Sequence, residues 1–150
     1  MIELDIQQYH TSIDFRIKGG KRYLFDPIRK KELVVQPEEL VRQTWMHYLK
    51  EEHDISFASL SVEKMVTVGE MSKRFDLIMN KKGKPYVLFE FKSFKINITE
   101  NTCRQVASYN LGLSVPYVVI SNGIIHYAYK IDHKEKSIIA MSDFDFVSAL

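Results

Sequence analysis

The chain has 150 residues, of which 45% are hydrophobic and 27% are charged. This length suits one domain with a sizeable core, and the composition is that of a globular chain, which excludes a disordered or fibrous protein. The net charge of +2 permits a polyanionic partner without requiring one.

The single cysteine, Cys103, excludes an intramolecular disulfide and a cysteine zinc site. We interpret it as a small buried helix residue, with a reactive thiol as the alternative. No apolar stretch reaches the roughly 18 residues of a membrane span, and Met1–His10 does not have the pattern of a signal peptide. We therefore expect a cytoplasmic protein without a membrane partner.

The N-terminal segment, residues 1–35, predicts a β-hairpin that covers one edge of the domain. Alternating segments at Ile13–Ile17 and Tyr23–Phe25 flank Gly19-Gly20, which suits a turn. The basic cluster Arg29–Lys31 is interpreted as a solvated loop, with a phosphate contact as the alternative.

A helix is predicted over Pro37–Glu52, with proline in its first turn and apolar side chains at helical spacing. Glu38 precedes Val41 by three residues and Trp45 by seven, so we expect it to project from the buried face. Glu39 is then rotated away from that face. In the alternative interpretation both acids only complement the positive helix N-terminus.

Residues 60–68 alternate as a strand, which predicts one shared face for a set of five side chains, namely Leu60, Val62, Lys64, Val66 and Val68. The next segment, Arg74–Ser93, predicts a β-hairpin around Gly83. If its loop is five residues long, Lys81–Pro85, then Asn80 pairs with Tyr86 and Ile78 with Leu88. The same register sets Asp76 opposite Glu90.

Opposed carboxylates are unfavourable, because facing Cβ atoms lie only about 4.5 to 5.5 Å apart. A hard divalent cation such as Mg²⁺ between Asp76 and Glu90 would offset the repulsion. Lys92 lies on the same face as Glu90 and would bring an ammonium to the anion under attack. The alternative is that both acids are solvated, or form weak surface pairs with Lys92 and Arg74.

The second half of the chain predicts one more helix and three strands. Thr99 is a plausible N-cap for a helix from Glu100 to about Leu113, on which Gln105 and Tyr109 lie four residues apart and reach one spot. Strands are predicted at three segments, namely 116–120, 124–131 and 137–141. The element order predicts an α/β fold of mixed α+β character, a sandwich with a central mixed sheet flanked by helices, plus extra C-terminal strands.

The order and spacing of the candidate acids and lysine resemble those of a known family. The arrangement of Glu38, Asp76 and Glu90-Phe91-Lys92 resembles that of the PD-(D/E)xK nuclease superfamily. More narrowly, the segments RFDLIMNKKGKPYVLFEFKS and QVASYNLGLSVPYVVISNG are similar to the N-terminal nuclease domain of type I restriction enzyme R subunits, in a short free-standing form. The resemblance covers about residues 25–132.

The resemblance implies a restriction-endonuclease-like domain that hydrolyses DNA phosphodiesters with Mg²⁺, or with Mn²⁺ in its place. It implies that the metal is held by Asp76, Glu90 and the backbone carbonyl of Phe91, with Glu38 acting through a water. Lys92 would position the attacking water and stabilise phosphate charge. Phe75 stands where the superfamily's motif has proline.

Further residues are assigned to DNA contact or site support. The resemblance implies this role for Gln105 and Tyr109, and charge suggests it for Lys73, Arg74 and Lys95. R subunits attach the domain to a helicase motor, and we expect none in this chain. The expected partners are therefore DNA and helicase or specificity subunits supplied in trans, with a homodimer as another option.

We expect one domain over residues 1–150, with a β extension at about 1–35, a nuclease core at about 36–132 and a terminal hairpin strand to 150. Two other functions remain open on the sequence. One is a non-catalytic nucleic-acid-binding module, and the other is an interaction subunit with a vestigial site.

Overall fold

The computed structural model describes residues 1–148. The strands are β1 (Asp14–Lys18), β2 (Lys21–Asp26), β3 (Lys31–Val34), β4 (Leu60–Val68), β5 (Met71–Lys81), β6 (Lys84–Phe91), β7 (Tyr117–Ser121), β8 (His126–Asp132) and β9 (Ser137–Ala140). The helices are α1 (Pro37–His53) and α2 (Glu100–Ser108). Short turns of 3-10 helix lie at Gln7–Ser12, Phe57–Ser59 and Asp145–Val147.

A six-stranded sheet in the order β4-β5-β6-β7-β8-β9 forms the centre of the fold. Only β6 and β7 of the described neighbours in this sheet run parallel, and the other pairs are antiparallel. The connection between β6 and β7 contains α2, as a parallel pair requires. The predicted mixed α/β fold with helices on the sheet is confirmed.

The two helices cover opposite faces of this sheet. On one face, Trp45 of α1 packs among Phe89 and Phe91 of β6. On the other face, Cys103 and Ala107 of α2 are buried with strand residues such as Leu88. Consecutive residues of β6 therefore enter different cores, which is why its sequence is an almost continuous apolar run.

The N-terminal segment differs from its prediction by one strand. The β1–β2 hairpin with its Gly19-Gly20 turn is confirmed, but β3 adds a third strand and makes a separate three-stranded sheet. Arg29 and Lys30 lie in a turn, as predicted, but Lys31 already begins β3, and Arg29 is ion-paired with Asp26 and Glu39 and not solvated. The Asp26 carboxylate accepts the backbone N–H groups of Ile28 and Arg29 and so turns the chain into β3.

The turn between β5 and β6 is tighter than predicted. Ile78 pairs with Leu88 as expected, but a bulge follows Met79, so Asn80 lies opposite Pro85 and not opposite Tyr86. Lys82 and Gly83 alone form the loop, with φ of 53° and 75°. Positive φ at both central residues is typical of a type I′ hairpin turn.

The predicted single face of β4 is wrong, because the strand changes phase at Glu63. Leu60 and Val62 belong to the core under α1, whereas Val66 packs against the core under α2. Glu63 has φ of 53°, and it and Asp76 of β5 are both absent from the pairing, although the register on either side of them is the same. Strand β5 changes phase at this point as well, since Leu77 and Phe75 lie in different cores. One left-handed residue rotates the following strand by one side-chain position, so every later residue faces the other way.

The C-terminal half follows its prediction closely. Thr99 caps α2 by accepting the N–H of Thr102 at 3.2 Å, but the helix ends at Ser108 and turns occupy residues 109–112. No described residue after β9 belongs to a further strand, and residues 149–150 of the predicted terminal strand lie outside the described residues. Within residues 1–148, neither helix is long and apolar enough to cross a membrane.

Candidate functional site

Asp76 is joined to β6 by its side chain. The backbone pairing of β5 with β6 stops at Leu77 and Phe89, and the next N–H that faces β5, that of Phe91, donates to Oδ2 of Asp76 at 2.7 Å. The carboxylate replaces a backbone acceptor at the point where the ladder opens. Asp76 is therefore fixed beside Phe91, in the middle of the Glu90-Phe91-Lys92 segment. The predicted pair of Asp76 with Glu90 lies beyond the last paired residues of the two strands.

Glu90 and Lys92 lie at the carboxyl end of β6. Glu90 has a side chain that is 16% exposed, and it forms an ion pair with Lys73 of β5. Lys92 is exposed, and its backbone N–H donates to the carbonyl of Ser121 at 2.9 Å, which ties it to β7. Its predicted surface pair with a carboxylate does not form in the described residues; Lys73 takes that role at Glu90.

Cys103 of α2 lies close to Lys92. Burial raises the pKa of the Cys103 thiol to about 11, and the Lys92 ammonium acts in the opposite direction. The thiol is thus protonated at neutral pH and inert, as its burial predicts.

A buried arginine connects α1 to this region. Arg42, only 7% exposed, donates to Glu39 at 2.8 Å and lies 3.6 Å from Glu63 and 3.8 Å from Asp76. Glu39 also accepts from Arg29 at 2.6 Å. Three acids from α1, β4 and β5 therefore share one guanidinium, which offsets their mutual repulsion.

The assignment of the two helix acids is reversed in the structure. Glu38 is exposed, and no contact joins it to the cluster in the described residues. Glu39, predicted to be rotated away, has a side chain that is only 12% exposed. Glu38 is in line with Val41 and Trp45, but this face of the helix is exposed to solvent at the first turn. Glu39 is in line with Arg42 and Gln43, three and four residues further on, and both donate hydrogen bonds to it.

Of the remaining predicted residues, Arg74 alone forms a side-chain hydrogen bond with the acidic cluster in residues 1–148. Gln105 and Lys95 are exposed, and Tyr109, at the end of α2, is 69% exposed. Arg74 is held by Glu63, to whose carboxylate it donates at 2.8 Å. Among these residues only Arg74 contacts the acidic cluster, and it does so through Glu63.

The donor chemistry of Asp76 and Glu90 suits a hard cation. Both present carboxylate oxygens, the Asp76 side chain is 40% exposed, and its Oδ1 accepts no hydrogen bond in the described residues. No group of three His, Cys, Asp or Glu side chains in residues 1–148 is arranged to hold a metal ion by itself. Mg²⁺ requires only one or two carboxylates, since water and substrate phosphate complete its shell.

A scan against protein families matches residues 37–144 to the family described as type I restriction enzyme R protein N terminus. The chain belongs to this family. The match covers more than half of the chain and includes Asp76, Glu90 and Lys92. No curated protein matches the chain.

Membership in the type I restriction enzyme R protein N-terminal family confirms the narrower of the two predicted resemblances. It connects the chain with restriction, indicates a restriction-related nuclease function, and implies interaction with DNA and association with other subunits.

Sequence reasoning missed Glu39, Arg42 and Glu63 as neighbours of Asp76. The only available signal was the spacing of Arg42 and Gln43 from Glu39, which puts three polar side chains on one helix face. Nothing in the local pattern of β4 indicated the left-handed conformation of Glu63.

Proposed function

We propose that the protein is a Mg²⁺-dependent DNA endonuclease of the PD-(D/E)xK type, with Mn²⁺ as a substitute metal. The single observation that carries the proposal is the hydrogen bond from the Phe91 N–H to Asp76, since it holds a carboxylate against the Glu-x-Lys segment. Family membership supplies the independent support.

In this proposal Asp76, Glu90 and the carbonyl of Phe91 hold the metal, which stabilises charge on the phosphate when it is bound. Lys92 is exposed at the end of β6, and its ammonium holds the attacking water and the anionic phosphate together. Lys73, Arg74 and Lys95 contact flanking phosphates, and Gln105 and Tyr109 support the DNA from α2.

The role of the helix acid is modified by its position. Glu38 is exposed, so we keep only its predicted role of binding a water molecule of the metal shell. Glu39 instead acts indirectly, because it holds Arg42, and Arg42 lies 3.8 Å from Asp76. We assign Glu39 and Arg42 to positioning of Asp76.

The test is a cleavage assay on plasmid and single-stranded DNA with Mg²⁺, Mn²⁺ or EDTA. Lys92→Met removes the ammonium from an exposed side chain, so the fold persists while cleavage falls by about 10² to 10⁴-fold. Lys130→Met, on an exposed lysine of β8, serves as the matched control with unchanged cleavage. Equal activity of wild type and Lys92→Met would identify a contaminating nuclease and refute the assignment.

A non-catalytic DNA-binding subunit is the second candidate. Its support is that side-chain cations already accompany both acids, Lys73 at Glu90 and Arg42 near Asp76, as in a site that no longer needs metal. This alternative predicts DNA binding without cleavage under any metal, and no increase in melting temperature with millimolar Mg²⁺ or Mn²⁺.

A further inference from the structure

A surface cavity lies next to the candidate site, on the α1 side of the sheet. Its volume is about 510 Å³, within the ~300 to 1,000 Å³ typical of small-ligand pockets. Its lining includes Gln7, His10, Phe94, Asn122 and Ile124, whereas Asp76, Glu90 and Lys92 do not line it. It is therefore a separate feature.

The cavity lies one strand away from the site. Phe91 and Ser121 are register partners in the parallel pair β6–β7, so the carboxyl ends of both strands meet at one edge of the sheet. Asp76 binds the Phe91 N–H on one side, and Asn122 follows Ser121 on the other. Adjacent strands are about 4.8 Å apart, so cavity and carboxylates share a continuous edge.

Phe94 is presented at this edge by a constrained turn. Ser93 is 9% exposed and accepts the N–H of Lys95 on its hydroxyl at 3.1 Å, and its carbonyl accepts the N–H of Ile96. Asn122 donates to the carbonyl of Ile96 at 2.8 Å. Ser93, Lys95 and Ile96 are thus hydrogen-bonded to one another, and Ile96 is joined to the β7–β8 turn through Asn122.

The side chains on this turn combine an aromatic face with positive charge. Phe94 is 43% exposed and Ile124 is 54% exposed, although both are large and apolar. Lys92 and Lys95 on either side of Phe94 are exposed cations. Nζ of Lys95 lies 6.0 Å from the centroid of the Phe94 ring. An exposed ring beside a cation suits a ligand with a flat π-face and an anionic backbone, which is the chemistry of a nucleotide strand.

The distance along the chain suits the same ligand. Phe94 follows Lys92 by two residues, so their backbones are at most about 7 Å apart. A phosphate held at Lys92 therefore has a neighbouring base within reach of Phe94. In a paired duplex both faces of each base are stacked, so only an unpaired base can cover the ring.

We propose that this cavity binds an unpaired nucleobase, stacked on Phe94, next to a phosphate held at the Lys92 ammonium. The inference rests on the proposed nuclease function for that phosphate and adds the substrate class, DNA with an unpaired base beside the scissile bond. Gln7 and His10 line the cavity and have side chains that can donate or accept hydrogen bonds.

Binding is measured by fluorescence anisotropy in EDTA, where no metal-dependent cleavage takes place. The probes are a labelled oligothymidine single strand, a fully paired duplex of equal length, and the same duplex with one central thymine mismatch. We expect the full-length chain to bind the single strand and the mismatch more tightly than the paired duplex. The mismatch probe separates a base displaced from a duplex from a continuous single strand.

Four variants isolate the stacking contribution. Phe94→Ala should weaken binding of the single strand by roughly 5- to 100-fold, which corresponds to the loss of one base stack. Phe94→Leu should lose affinity for the single strand to the same extent, because leucine keeps the apolar volume but has no ring. Phe94→Trp should retain the wild-type affinity. Ile139→Ala, at a 48% exposed position of β9, should bind as wild type.

Wild-type affinity in both Phe94→Ala and Phe94→Leu would overturn the proposal, as would equal binding of paired and unpaired probes. Retained binding in Phe94→Leu alone would also overturn it, because it indicates an apolar contact instead of stacking. Ring-dependent binding without any cleavage upholds the base site and refutes the nuclease. Cleavage that does not depend on Phe94 upholds the nuclease and refutes the base site.

Discussion

At the scale of single residues, Asp76 and Glu90 differ in what already holds them. Asp76 accepts a neutral backbone N–H and keeps Oδ1 without a hydrogen bond in the described residues. Glu90 is paired with the Lys73 ammonium, whose side chain is 34% exposed. A cation that binds both acids must therefore compete with Lys73 at Glu90, and at Asp76 it meets the Arg42 guanidinium 3.8 Å from Oδ1.

Removal of Lys73 should strengthen binding of a divalent cation. Lys73→Met abolishes the competing ion pair, and since partly exposed pairs are worth at most about 1 kcal/mol, we expect roughly 2- to 5-fold tighter Mn²⁺ binding by calorimetry. Lys64→Met, on the neighbouring strand, is the matched control, because its exposed side chain forms no ion pair in the described residues. Weaker binding in Lys73→Met would mean that Lys73 helps to build the site.

Glu39 and Glu38 form a natural pair for a stability comparison. Glu39→Gln leaves Arg29 and Arg42 without their shared carboxylate, and both guanidinium groups are largely buried. We expect a loss of about 2 to 4 kcal/mol in the free energy of unfolding, as for a broken buried pair. Glu38→Gln should stay within about 0.5 kcal/mol of wild type, as an exposed substitution does. Urea denaturation of the two proteins checks the difference, and equal losses would contradict the exchange of roles.

At the scale of elements, the sequence predicted the strands better than their faces. The 60–68 segment, the 37–52 helix and the Thr99 cap were predicted almost to the residue, because periodicity and capping are local signals. The five-residue loop and the single face of β4 were wrong. A bulge and a left-handed residue each shift the phase of a strand by one position, and both depend on neighbouring strands.

The same limit applies to the candidate site. Sequence symmetry around Gly83 approximates the hairpin register and so predicts that Asp76 lies near the Glu90-Phe91-Lys92 segment, where its side chain accepts the Phe91 N–H. Which of Glu38 and Glu39 faces the cluster depends on where the edge of the sheet lies under α1. Sequence spacing does not give that position, and the structure shows Glu39 paired with Arg42.

The left-handed conformation of Glu63 predicts an inverted order of glycine and alanine. At φ of 53° a Cβ atom costs about 1 kcal/mol, so Glu63→Gly should be more stable than Glu63→Ala by about that amount. Both variants lose the same contacts with Arg42 and Arg74, so the difference isolates the backbone. At the exposed Met65 of the same strand the ordinary order applies, and Met65→Ala should be the more stable. Thermal denaturation compares these three variants with Met65→Gly. If alanine is more stable than glycine at both positions, Glu63 is unstrained.

At the scale of the whole molecule, a buried polar chain joins the N-terminal segment to the central sheet. The indole N–H of Trp45 donates to the Ser121 hydroxyl at 2.8 Å, which in turn lies 2.7 Å from Nδ1 of His126. Nε2 of His126 lies 3.0 Å from the carbonyl of Leu4. A neutral His126 with its proton on Nε2 satisfies every member, because Nδ1 then accepts from Ser121.

Protonation of His126 should make the stability of the fold depend on pH, because it breaks this series of hydrogen bonds. Burial lowers the pKa of His126 from 6.5 to about 4, so between these values the unfolded state binds a proton that the folded state does not. The contribution to stability is complete above pH 6.5 and decreases as the pH falls towards 4. Burial lowers the pKa of His47 and of His53 as well, so they act in the same direction.

We therefore expect the free energy of unfolding to be nearly constant from pH 8.5 to 7.5 and to fall by about 2 kcal/mol at pH 5 through His126 alone, from the roughly 1.4 kcal/mol associated with each pKa unit. His126→Asn removes the titrating group. The variant should be less stable than wild type at pH 7.5, because the ring leaves a gap between Trp45 and Leu4, yet it should lose less stability on acidification. Urea denaturation at constant ionic strength measures both curves. Parallel curves for the two proteins would show that His126 does not carry the pH dependence, and that acid acts on the fold through other groups.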